Sequence, residues 1–186
     1  MTKKSSRYLD AMAMLEAADE IHSPQVCEQA LQHMVQDITR DLGETYPLVL
    51  AVMGGAVVFT GKLLPLLKFP LDFDYIHITR YGDRLQGGEF EWLREPYEVA
   101  GRDVLVLDDI LDEGHTMKAI VAEIMARGAN SCHSAVFANK LLPKNKAITA
   151  DYVGLDVPNR FVFGFGMDAK KMWRNLDGVY AMSEPD

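Results

Sequence analysis

The chain is 186 residues long, enough for one domain with a sizeable buried core. Hydrophobic residues make up 48% and charged residues 25%, an ordinary globular mix that excludes disordered and collagen-like classes. Lys and Arg number 19 against 27 Asp and Glu, a formal charge of −8, so the chain has no general attraction for phosphate backbones. A local basic pocket for an anionic metabolite is still compatible with that charge.

The basic N-terminus, Met1 to Ser6, is followed by no apolar run, since Asp10 interrupts Leu9 to Leu15, so no signal peptide is expected. No apolar run approaches the roughly 18 residues of a bilayer span. The two cysteines, Cys27 and Cys132, stand far apart and read as reduced thiols. A cytoplasmic protein that binds neither membrane nor nucleic acid is the expectation.

The first forty residues read as helix. Leu9, Met12, Met14, Leu15 and Ala18 fall near helical spacing. Ser23-Pro24 reads as an N-cap with proline in the first turn, Val26 to Ile38 as an apolar stripe, and Gly43 as the stop. Pro47 to Met53 is a short run apolar on both faces, the pattern of a buried parallel strand. Gly54-Gly55 ends it, and Ala56 to Leu67 reads as helix. Leu71 to Thr79 alternates like a strand. Tyr81 to Glu95 reads as a polar, glycine-bearing loop. Asp103 to Asp109 holds a core strand, Thr116 to Arg127 a helix closed by Gly128, and Ser134 to Ala138 another strand. Short strands follow at Tyr152 to Gly154 and Arg160 to Phe165. This alternation predicts an α/β fold with a mostly parallel sheet flanked by helices.

The stretch richest in chemistry is Val104-Leu105-Val106-Leu107-Asp108-Asp109-Ile110-Leu111-Asp112-Glu113-Gly114-His115-Thr116. A buried strand runs into paired carboxylates, then a third acid, a glycine, a threonine and a helix. Open α/β sheets bind ligands beyond the carboxyl ends of their strands. Residues 112–116 end at a helix N-terminus, whose amides and dipole favour an anion. Gly114 allows close approach, and Thr116 can donate a hydroxyl. Paired carboxylates upstream suit ribose hydroxyls or Mg²⁺. One loop can therefore hold a sugar phosphate. Adjacent acids before a helix cap occur in many α/β proteins; the whole string is far more specific than its parts.

That string resembles the phosphoribosyl-pyrophosphate (PRPP) signature of type I phosphoribosyltransferases. The flanking sequence is similar to the hypoxanthine-guanine branch, bacterial members in particular, from about Leu48 to the C-terminus. The resemblance implies a core at about 45–140 and a small hood subdomain from the N-terminal helices and about 141–186. A mobile lid would span about 81–95. PRPP would be bound by Asp108, Asp109, Asp112, Glu113, Gly114, His115 and Thr116, with Asp112 as general base for the purine proton. Asp108 stands where the family often has Glu, and Glu113 where it has Thr or Ser; the Glu113 side chain is expected to face solvent. His115 is expected to be a plain first-turn helix residue.

Val52-Met53-Gly54-Gly55 matches the family's pyrophosphate loop, and implies a non-proline cis peptide between Val52 and Met53. Some members carry Lys where this chain has Met53. Arg80 and Tyr81 match the lid pair, with Arg80 in place of Ser. Lys140 matches the lysine that hydrogen-bonds O6 of a 6-oxopurine, since an ammonium can only donate. Phe161 matches the aromatic that stacks on the base, Val162 offers backbone groups, Asp168 matches a metal ligand near the base, and Arg174 reaches pyrophosphate. The implied metal is Mg²⁺, held by Asp108, Asp109 and Asp168. The implied reaction is purine salvage, transferring 5-phosphoribose from PRPP to hypoxanthine or guanine. A xanthine-preferring enzyme and a non-catalytic, PRPP-sensing nucleic-acid-binding regulator are the alternatives. The family resemblance also implies a homodimer or homotetramer.

Overall fold

The computed structural model describes residues 5–80, 90–96 and 98–183. Two helices open the chain, α1 (Ser6–Glu16) and α2 (Pro24–Leu42), with the strand β1 (Asp19–His22) between them. Ser23 caps α2, its hydroxyl accepting from the Val26 amide with Pro24 in the first turn, and Gly43 follows the last turn. These are the stops that the sequence predicts. The predicted run of helix over the first forty residues is broken by β1, because Asp19–His22 pairs antiparallel with β9 (Val179–Ala181) far along the chain. Nothing local in Asp19–His22 announces that partner.

The central sheet holds β2 (Leu48–Val52), β3 (Asp72–Arg80), β4 (Phe90–Arg94), β5 (Asp103–Leu111), β6 (Ser131–Lys140) and β7 (Tyr152–Val157). Their spatial order is β4-β3-β2-β5-β6-β7. Every neighbouring pair is parallel except β3 and β4. β4 falls inside the segment read as a glycine-bearing loop; its Trp92 packs against the core, which outweighs the surrounding glycines and charges. The sheet also continues through β7, past position 140. A second, antiparallel sheet of order β1-β9-β8 includes β8 (Val162–Phe163). The predicted strand over Arg160 to Phe165 shrinks to these two residues, because Gly164, Phe165 and Gly166 all take positive φ and turn the chain.

α3 (Val57–Leu63) follows β2 and passes into a single 3₁₀ turn at Leu64–Leu66. The helix predicted to Leu67 stops early because Pro65 lacks the amide that would continue it. α4 (His115–Ala126) follows β5. No helix among the described residues is long and apolar enough to cross a membrane. Both cysteines are free, Cys27 buried and Cys132 half-buried.

Strand alternation sends apolar residues to both faces of the sheet. On one face Leu31, Met34 and Ile38 of α2 pack over Val49, Leu105, Leu107 and Phe137. On the other, Ile120 and Ile124 of α4 cover Leu50, Val104 and Val106. Phe137 stacks on Phe165 with ring centroids 3.7 Å apart and tilts against Phe59 at 5.8 Å. This aromatic group joins the central sheet to the turn after β8. Phe137→Ala is expected to cost about 3–5 kcal/mol in urea unfolding, the usual range for deleting a fully buried ring. A loss below about 1 kcal/mol would show that the group does not hold the two sheets together.

Candidate active site

β5 sets the site. Val104 to Leu107 are buried, Asp108, Asp109 and Ile110 emerge half-buried, and the buried Leu111 ends the strand directly before Asp112. Asp108 Oδ1 accepts from the Asp109 amide at 2.9 Å. Burial pushes the Asp108 carboxyl well above the usual 3.8, and the charge of Asp109 pushes it the same way. Burial raises Asp109 too, against the pull of Asp108 and Arg174. Both acids are therefore held in a setting that resists two negative charges and favours a cation.

Two glycine loops close on Asp109. A Cβ at Gly55 would lie 2.2 Å from Asp109 Oδ2, and one at Gly166 would lie 2.3 Å from the Gly55 carbonyl. Gly166 also has φ +103°, a conformation that side chains rarely adopt. Hydrogen acts as the side chain at both positions so that three chain segments can touch. The chain carries a non-proline cis peptide in the first loop, between Met53 and Gly54 rather than between Val52 and Met53. Arg174 binds the second loop. It donates to the Gly166 carbonyl at 2.6 Å and to Asp168 Oδ1 at 2.5 Å, and lies 3.8 Å from Asp109 Oδ2.

Beyond Leu111 the chain makes a cradle. Residues Asp108 to Met117 line a pocket of about 240 Å³. Gly114, at φ +81°, precedes α4, and no side chain caps the helix. The positive end of the α4 dipole thus faces this pocket, the polarity that the loop pattern predicts will favour an anion. Glu113 turns its carboxylate to Lys144, 2.5 Å away, leaving its backbone in the loop. His115 begins α4 and is exposed.

A second pocket of about 190 Å³ adjoins the first and shares Asp109, Ile110 and Asp112 with it. Its other walls are Lys140, Phe161, Val162, Met167 and Asp168. Lys140 Nζ is 2.8 Å from Asp112 Oδ2. Phe161 is 57% exposed, so one ring face is open to a planar partner. Among the described residues no group of three or more His, Cys, Asp or Glu converges on a metal position. Arg80 ends β3, and its side chain and all of Tyr81 lie outside the described residues, as does the 81–89 portion of the predicted lid. A separate cleft of about 360 Å³ sits at the amino ends of β2 and β3, where Arg94 and Arg102 are already paired with Asp74 and Asp72. Ligands of open α/β sheets bind at the opposite, carboxyl ends.

Residues 17–170 match the phosphoribosyl transferase domain family. The chain belongs to this family. It is 35% identical over 164 residues to the bifunctional protein TilS/HprT of Listeria innocua, an alignment covering 85% of this chain and 25% of that one. It therefore spans about a quarter of the length of that relative. It is 30% identical over 163 residues to the hypoxanthine-guanine phosphoribosyltransferase of Bacillus subtilis, covering 84% of this chain and 91% of that one. The fold matches a hypoxanthine phosphoribosyltransferase structure from Staphylococcus aureus with a TM-score of 0.85 at 22% identity, over 92% of this chain and 95% of that one. It also matches the Trypanosoma cruzi hypoxanthine phosphoribosyltransferase, TM-score 0.83 at 25% identity, over 90% and 97% of the two chains.

Sequence reasoning passes over Lys146 and Asn139, which meet at the ends of β5 and β6, where Leu111 and Asn139 directly precede Asp112 and Lys140. Lys146 belongs to the polar turn Pro143-Lys144-Asn145-Lys146, which reads as solvated surface. No periodicity marks it.

Two expectations follow for stability. The folded Asp108 holds its proton more tightly than the unfolded one, so its penalty grows as pH rises past the unfolded value and is complete above the folded one. Asp108→Asn should therefore raise Tm at pH 7, by about 2–4 °C for each kcal/mol relieved, with the gain shrinking on acidification. Scanning calorimetry without divalent cations checks the sign; a lower Tm at pH 7 would contradict the burial argument. Gly166→Ala should lose about 2 kcal/mol or more from backbone strain and the clash with Gly55. Urea unfolding that matches the parent protein would exclude the close approach.

Proposed function

We propose that this chain transfers the 5-phosphoribosyl group of PRPP to N9 of a 6-oxopurine, hypoxanthine or guanine, releasing pyrophosphate. The observation that carries this reading is the pair of adjoining pockets, one walled by an anion-binding loop and the other by Lys140 and Phe161, with Asp109 and Asp112 in both. A sugar phosphate in the first pocket and a flat base in the second would meet over those acids. The name of the Bacillus subtilis relative supports the same substrate class.

In this reading the 5-phosphate takes the cradle of residues 112–116, where backbone amides and the α4 dipole supply positive potential. Asp108 and Asp109 accept from the ribose hydroxyls. Their charge favours the positive character that C1′ gains as its bond to the pyrophosphate oxygen breaks. N9 of the purine then bonds to C1′, and the base sheds a proton. Asp112 takes that proton. Lys140 donates to O6, Phe161 stacks on the ring, and Val162 offers backbone groups to its edge. Arg174, with the 53–55 loop, faces pyrophosphate.

The desolvated pair Asp108 and Asp109 has the hard oxygen donors that Mg²⁺ prefers, and Asp168 adds a third carboxylate on the far side of Arg174. Asp108, Asp109 and Asp168 would hold such a cation, which with so few protein donors converging would take its remaining ligands from outside the chain. When bound, Mg²⁺ supplies neutralisation of the pyrophosphate charge.

The test is a spectrophotometric assay with PRPP, Mg²⁺ and each of hypoxanthine, guanine, xanthine and adenine. Hypoxanthine or guanine is expected to turn over and adenine is not. Asp112→Asn should lower kcat by on the order of 10²- to 10⁴-fold. No turnover of any base would overturn the reading in favour of a binding protein, and turnover of xanthine alone would move the substrate.

A further inference from the structure

Lys146 is a half-buried cation that no step above uses. Its ammonium donates to the Leu111 carbonyl at 2.5 Å and to Asn139 Oδ1 at 2.6 Å. Leu111 and Asn139 are opposite each other in the β5–β6 register. Each is the residue immediately before a pocket group, Leu111 before Asp112 and Asn139 before Lys140. One ammonium therefore staples together the ends of the two strands from which the base pocket is built.

The next residues complete the grip. The Ala147 amide donates to the Glu113 carbonyl at 2.9 Å. Asp112 thus lies between two carbonyls, Leu111 and Glu113, both held by consecutive residues of one segment. On the other side the Asn139 amide group donates to Asp156 Oδ1 at 2.7 Å, and the Asp156 carbonyl accepts from His22 Nε2 at 2.8 Å. The chain of contacts runs from β5 through β6 and β7 to β1. Burial disfavours the charge on Lys146, while Asp112 and Asp156 favour it. A lysine held for surface solubility would not sit with its ammonium on a backbone carbonyl and a side-chain amide.

We propose that Lys146 is a positioning residue for the base pocket: by tying Leu111 to Asn139 it fixes the spacing of Asp112 and Lys140, and so the fit of the 6-oxopurine. The inference rests on the function proposed above and adds a residue that governs affinity for the base rather than for PRPP. The 2.8 Å between Lys140 Nζ and Asp112 Oδ2 is set by side chains on two different strand ends. Without the staple those ends can drift apart, and the purine, which must meet both groups, is the substrate that suffers.

Lys146→Met and Lys146→Arg, made in the full chain, test this. In Lys146→Met the KM for hypoxanthine should rise about tenfold, with the KM for PRPP within twofold of the parent. Lys146→Arg keeps a cationic donor and should recover most of that loss. Hydrogen exchange on the ligand-free protein should quicken in Lys146→Met at residues 110–113 and 138–141 and not across the rest of the sheet. Equal rises in both KM values, or a fall in kcat with both KM values unchanged, would overturn the proposal. So would unchanged exchange at the two strand ends. If the parent protein turns over no base, the proposed function fails on its own, and the exchange measurement still decides whether Lys146 fastens the strand ends.

Discussion

Asp108 and Asp109 leave β5 at the point where the central strand is still largely shielded from water, and they repel each other there. Holding two carboxyls in that position costs free energy that the sheet around them must offset. The neighbouring chain is shaped to do so. β5 has parallel partners on both sides, β2 and β6, and its apolar half reaches into both cores. The side chain of Asp109 rests on the Gly55 backbone, and Gly55 in turn rests on Gly166. Arg174 provides the counter-charge from the far side. The two glycine contacts are close because each side chain is only a hydrogen, and Arg174 adds its charge from 3.8 Å.

The second sheet has its place in the same arrangement. β8 leads into the turn that carries Gly166 and Asp168, and β9 pairs it back to β1. Phe165 of that turn stacks on Phe137 of β6, so the segment bearing Asp168 and Arg174 is fastened to the strand that ends in Lys140. Trp173 fastens it again, its indole donating to the Ala11 carbonyl of α1 at 2.8 Å. Residues more than a hundred positions apart in the chain are thereby brought to one edge of the sheet, above the carboxyl ends of β5 and β6.

What was legible in the sequence is what local physics determines. The strand from Val104 to Leu107 reads from its unbroken apolar run, the α2 cap from Ser23-Pro24, and the loop Asp112 to Thr116 from a glycine before a helix. The grouping of Lys140, Phe161, Val162 and Asp168 with Asp112 came from family resemblance, and the pocket they line brings them together. Elements defined by a distant partner were not legible. β1 and β9 are short, and it is pairing with distant partners, each with the other and β9 also with β8, that makes them strands. β4 is hidden among glycines and charges until β3 offers it an edge. Lys146 escaped because a lysine in a polar turn looks like any other; its two acceptors lie on strands that the turn does not itself contain. The cis peptide sits one bond later than the resemblance implies.

The pairing of Lys140 with Asp112 has one further consequence. Within the pocket these two side chains are a donor and an acceptor that satisfy each other. On the proposed reading, an incoming purine does not fill a vacancy but competes with an internal occupant. A base that offers an acceptor to the ammonium and a proton to the carboxylate replaces the pair with two equivalent contacts at little net cost. A base that offers only one of these must separate two opposite charges and leave one of them stranded. On that reading the ion pair would act as a toll on partial matches, and discrimination among purines would be exercised at entry, before any bond to ribose is made.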